Sequence, residues 1–222
     1  MHGVMNVKLS SANSALLATA LVVGSVALLP AATAQAAPLA ATLVKQTWTG
    51  GPNSDWSHDS PDPSGITYNS RTGKLIISDG EVEETNLSYH VYQGTNLFIA
   101  NLDGSLAQTG LNTTKYSNEP TGVGFRPTSA NYPERLFVSD DDQARIFEVN
   151  AVDGVYGDDD DTQTSSSVAF LDRGARNDAE DLAVDLDFTR DGRLFLVDGK
   201  GKRVFIYNPG PDKVFNGDGD FV

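Results

Sequence analysis

Beyond its first 36 residues the chain alternates short apolar runs with turn-forming residues, and no stretch there carries the 3.6-residue period of an amphipathic helix. The runs are four to six residues long, rich in Val, Ile, Leu and aromatics, and bounded by Gly, Asn, Asp or Pro, so each is predicted to be a strand. They recur. "DPSGITY" from Asp62, "EPTGVGF" from Glu119 and "DAEDLAV" from Asp178 open three units at intervals of 57 and 59 residues. A second run, "KLIISD", "RLFVSD" and "RLFLVD", ends at Asp79, Asp140 and Asp198, and a third lies around Phe98, Phe147 and Phe205. A weaker fourth run follows as "SLAQTG" from Ser105 and "SSVAFLD" from Ser166, with "TLVKQTW" (Thr42 to Trp48) standing before the first unit. The segments Ser70–Lys74, Leu102–Ser105 and Thr189–Arg193 are tight-turn sequences in which Gly supplies positive φ, as hairpins require.

Four strands in a unit of about 40 to 60 residues, repeated with apolar inner strands, predict an all-β chain built as β-propeller blades. A β-sandwich is the alternative, but it would not require landmarks to recur in register. The predicted organisation is a signal peptide over 1–36, an N-terminal segment with a closing strand over 37–61, and blades over 62–118, 119–177 and 178–222. Three blades fall below the four to eight typical of propellers. The expectation is therefore an open arc, either a piece of a longer propeller or half of a six-bladed ring that a homodimer completes.

The pattern P-x-G-[IV]-x-[YF], then an apolar triplet ending in Ser-Asp or Val-Asp, then a basic-aliphatic-aromatic strand, resembles the NHL-type blade. It is also similar to the SdiA-regulated and phytase-like secreted propellers. The resemblance runs from Asp62 to about Asn208, and the third unit departs from it, with Ala179-Glu180-Asp181 in place of Pro-x-Gly. It implies that the first strand of each blade is innermost. Asp62, Glu119 and Asp178 then ring a channel mouth, with Asp79, Asp140 and Asp198 one strand further out on the same rim. Carboxylates gathered there would raise one another's pKa unless a hard cation, calcium above all, neutralised them. The plainer reading gives Asp79, Asp140 and Asp198 a structural task, since a short Asp at a strand end accepts backbone N–H bonds and fixes a turn.

Residues 1–36 have the signature of export: a single basic residue (Lys8), an apolar run from Ala15 to Leu29 and an Ala34-Gln35-Ala36 cleavage site. Their removal leaves a net charge of −15, from 15 Lys and Arg against 30 Asp and Glu, which disfavours nucleic acid and anionic membranes and favours divalent cations. With no Cys, disulfides and thiolate metal sites are excluded.

Two features break the repeat. From the second-strand Asp to the third-strand aromatic is 7 residues in the later units but 19 in the first, so the first unit carries a 12-residue insertion on the mouth face. The segment holds Glu81, Glu83, Glu84, Tyr89, His90 and Tyr92, a candidate contact surface for a protein or small-molecule ligand. At the opposite end of the blades, "DGVYGDDDDT" (Asp153 to Thr162) and "DKVFNGDGD" (Asp212 to Asp220) are related acidic loops. Candidate calcium ligands there are Asp158, Asp160 and Asp161 in the first and Asn216, Asp218 and Asp220 in the second, the latter three at alternate-ligand spacing. Phe221 stands where an EF-hand needs Gly, which leaves a simpler calcium-binding hairpin or a solvated acidic turn.

The sequence holds no G-x-S-x-G elbow, phosphate-binding loop or H-E-x-x-H pair. Two functions follow: an exported calcium-binding propeller acting as a binding or scaffold module, or a calcium-dependent hydrolase of the phytase-like or lactonase-like kind using the mouth carboxylates.

Overall fold

A computed structural model describes residues 42–80, 94–163, 168–169, 179–184, 192–209 and 215. The chain divides into two units, Met1–Thr42 and Leu43–Val222, and the architecture below is that of the second. It is all-β: among the described residues there is no helix, and the strands form three antiparallel sheets. The first sheet is β1 (Pro63–Asn69), β2 (Lys74–Asp79), β3 (Leu97–Ala100) and β4 (Leu106–Leu111), paired in chain order. In the second, β5 (Pro120–Arg126), β6 (Arg135–Asp140) and β7 (Arg145–Asn150) follow the same order, and both β8 (Thr162–Gln163) and β9 (Val168–Ala169) pair with β7. The third holds β10 (Ala179–Val184), β11 (Leu194–Asp198) and β12 (Arg203–Tyr207).

The repeat extends to the register. Pro63 faces Asp79, Pro120 faces Asp140 and Ala179 faces Asp198, and each pair is followed by the same bulge, ending at Gly65, Gly122 and Asp181. Proline suits the first position because it has no N–H to give to the ladder. The glycine is needed for a different reason. β1 lies against β5 and β5 against β10. A Cβ on Gly65 would stand 2.8 Å from the Gly122 Cα, and one on Gly122 would stand 2.8 Å from the Asp181 Cα. The first strands of successive sheets therefore touch backbone to backbone, tied by Phe125 N donating to Thr67 Oγ1 (3.1 Å) and Thr121 Oγ1 donating to Ala179 O (2.7 Å).

The second and third sheets each also bury one face on the sheet before. Val123, Phe125, Leu136 and Val138 of the second sheet share a core with Ile76 and Leu97 of the first. Leu182, Leu194 and Leu196 of the third share a core with Phe137 and Ile146 of the second. Inside the second sheet the buried Arg126 reaches Glu148 (Nη2 to Oε1, 3.0 Å) between the rings of Tyr132 and Phe137. The segment Thr42 to Trp48 makes no ladder in the single chain; Lys45 instead donates to the Asp103 carbonyl at the β3–β4 turn (2.6 Å).

Candidate functional site

Because Pro63 faces Asp79 and Pro120 faces Asp140, the acids that open each unit and those that end each second strand stand at one end of the sheets. The strand-end acids are buried and engaged within the chain. Asp79 Oδ2 accepts from Ser60 Oγ (2.5 Å) and Asp62 N (3.1 Å). Asp140 accepts from Ser117 Oγ (2.7 Å), Gln143 N (2.7 Å) and Gln143 Nε2 (2.7 Å). Asp198 accepts from Gly201 N (2.7 Å) and Arg203 Nη2 (3.0 Å). Asp140 with Gln143 N and Asp198 with Gly201 N fix the turns that follow their strands, whereas Asp79 ties the chain ahead of β1 to the end of β2, and a carboxylate so occupied has little left to offer a cation. Ser60 and Ser117, each three residues before the unit's proline, are the partners that sequence reasoning missed; the recurrent S-x-[DE]-P was the available signal.

Of the mouth acids, Asp62 is exposed and Glu119 half-buried, while Asp178 lies outside the described residues. Asp62 holds the rim through its backbone, its carbonyl accepting from Gly80 N (3.1 Å) and Ser64 Oγ (2.9 Å). Neither Asp62 nor Glu119 belongs to a cluster of three potential metal ligands among the described residues. Asp181 takes the place of the repeat glycine; its Oδ1 accepts from Leu182 N (2.8 Å), and partial burial raises its pKa. The insertion residues Glu81, Glu83, Glu84, Tyr89, His90 and Tyr92, and the second-loop residues Asn216, Asp218 and Asp220, also lie outside the described residues.

The acidic loop at the far end of the second sheet is where carboxylates converge. Asn150 pairs with Thr162, so residues 151–161 form a hairpin loop at the end opposite Asp140. Asp153, Asp158 and Asp160 each place a carboxylate oxygen within 4.8 Å of the other two. Local bonds shape them: Asp153 Oδ1 accepts from Val155 N (2.7 Å), Asp158 Oδ1 from Asp160 N (3.1 Å) and Asp160 Oδ1 from Val152 N (3.2 Å). Asp161, expected among the ligands, turns inward. Its Oδ2 accepts from Gly157 N (2.6 Å), its Oδ1 is buried without a hydrogen bond, and burial, reinforced by the charges of Asp158 and Asp160, pushes its pKa up to about 6. Asp153 takes its place in the cluster. The sequence carried a signal for it, since Asp212 stands 59 residues further on, the same interval that separates Asp161 from Asp220.

The first sheet holds this loop from outside. Arg71, in the β1–β2 turn, donates to the Gly154 carbonyl and pairs with Glu134 (Nε to Oε2, 3.1 Å). Lys115 donates to the carbonyls of Asp158 (3.3 Å) and Asp159 (2.6 Å), and Asn112 N to that of Gly157 (2.7 Å). Asp153, Asp158 and Asp160 are thus the described residues that could hold a hard divalent ion, with Arg71 and Lys115 already engaged on neighbouring carbonyls. No family model, curated protein or solved structure matches this chain. The blade resemblance thus stands on the chain's own repeat. A groove of about 310 Å³ runs along the inner strands, lined by Ile66, Tyr68, Phe125, Leu182 and Val184 among others, without a charged side chain.

Proposed function

We propose that the chain is an exported β-propeller arc that binds calcium in the Asp153–Asp161 loop and serves as a binding or scaffold module. The blade reading is supported by the in-register repeat and by inner strands that abut one another in chain order. The observation that carries the calcium reading is the convergence of Asp153, Asp158 and Asp160 within 4.8 Å. Calcium suits it better than magnesium, because an irregular loop of carboxylates and carbonyls tolerates the larger ion's variable coordination, whereas magnesium demands a near-ideal octahedron. The scaffold reading is preferred to the hydrolase one because neither Asp62 nor Glu119, two of the acids the hydrolase would use, joins a cluster of three potential metal ligands among the described residues. Calorimetric titration is the test. Calcium should bind to the wild type with magnesium weaker, and Asp158→Asn with Asp160→Asn should abolish the heat. Equal binding by the double variant would refute the loop site, and calcium-dependent turnover of phosphomonoesters or lactones would refute the scaffold role.

A further inference from the structure

The contact between successive sheets is made twice within the chain, and the two faces that make it are each left open once. In the leading face of the second sheet Val123 and Phe125 are each 2% exposed, buried on Ile76 and Leu97. In the third sheet the corresponding Leu182 is 6% exposed, buried on Phe137 and Ile146. The register identifies the equivalents in the first sheet as Ile66 and Tyr68, and these are 62% and 49% exposed. The opposite, trailing face behaves alike. Ile76 and Leu97 in the first sheet and Phe137 and Ile146 in the second are at most 1% exposed. Their equivalents in the third sheet are the half-buried Phe195 and Val204, which is 60% exposed.

Large apolar side chains placed at positions that the same fold buries elsewhere signal a surface that is covered in use. The chain itself shows what covers each: a leading face of this repeat takes a trailing face of this repeat. We propose that Ile66 and Tyr68 of one copy pack on Phe195 and Val204 of a second copy, and reciprocally, so that two chains close a ring of six sheets. The contact rests on the repeat; closure by two copies rests on the blade reading above, six blades lying within the usual four to eight. The outer part of the leading face is compatible with this. Trp56 covers Phe98 there (ring centroids 5.4 Å apart) much as Tyr116 covers Phe147 within the internal contact (5.2 Å). One position departs from the internal pattern: Asp181 carries a side chain where Gly65 and Gly122 have none, and its Oδ1 lies toward Gly122 of the same chain, 2.9 Å from where a Cβ there would stand.

The test is light scattering on the purified protein with single variants at each face. The wild type should have twice the chain mass, and Ile66→Asp and Val204→Asp should each give a monomer that keeps the β-sheet circular dichroism of the wild type but melts lower, since both side chains are exposed within the chain and association no longer stabilises it. The chain has no Cys, so a mixture of Ile66→Cys and Val204→Cys proteins should form a linked pair with a short bifunctional thiol reagent, while neither alone does. A wild-type monomer at every concentration, or a dimer that survives both Asp variants, would overturn the proposal. Cross-linking through 66 and 204 with a mass that grows without limit would uphold the contact but overturn two-copy closure and the blade reading with it.

Discussion

The second sheet carries aspartates at both ends, and the two ends treat them in opposite ways. At one, Asp140 is buried and accepts from three donors on Ser117 and Gln143. At the other, Asp153, Asp158 and Asp160 crowd one another at the surface with backbone N–H groups as their hydrogen-bond donors. A buried carboxylate is tolerable only when its oxygens are matched, so the first end is finished as it stands. The second end has more negative charge than its neighbours offset, which is a cost without a cation and an advantage with one.

Replacement at the finished end should do the most damage. Asp140→Ala strands the buried Ser117 hydroxyl and removes the acceptor of two donors on the exposed Gln143, and is expected to cost about 2 kcal/mol in denaturant unfolding. A loss below about 1 kcal/mol would show that the clasp is incidental. Ser117→Ala removes one of the three and should cost about 1 kcal/mol, with Ser60→Ala similar in the first sheet, both read from the same unfolding curves. The smallest effect belongs to Asp161. Its folded pKa is raised to about 6, above the unfolded value, so its charged form weakens the fold above pH 6 and the penalty fades as pH falls through 6 towards 4. Asp161→Asn keeps an oxygen for Gly157 N and should therefore stabilise the calcium-free protein at pH 7.5 by no more than roughly 1 kcal/mol, given the site's access to solvent. The gain should vanish by about pH 4, and a gain that grew on acidification would reverse the sign argued here.

The asymmetry between the ends was only partly legible in the sequence. The strands and their order were readable because landmarks recur at nearly constant intervals, and a propensity error in one unit is corrected by the other two. At the end marked by Pro63 and Pro120, recurrence marks what every unit needs: the buried Asp79, Asp140 and Asp198 accept hydrogen bonds within the chain, in line with the plainer reading of them. Their partners escaped notice since Ser60 and Ser117 reach them through space, from 19 and 23 residues away. In the acidic loop the expected set Asp158, Asp160 and Asp161 differs from the observed cluster by one exchange: spacing cannot tell that Asp161 folds back onto Gly157 while Asp153 joins Asp158 and Asp160. The insertion from Glu81 to Tyr92 lies outside the described residues.

The contrast is tested most directly by the thermal midpoints of the wild type and of the Asp158→Asn, Asp160→Asn double variant, each in chelator and in excess calcium. The wild type should gain about 2.7 kcal/mol when calcium stands a hundredfold above its dissociation constant. The double variant should gain nothing and, freed of like-charge repulsion, should melt no lower than the wild type in chelator. A wild-type midpoint that is the same in chelator and in calcium would contradict the calcium site.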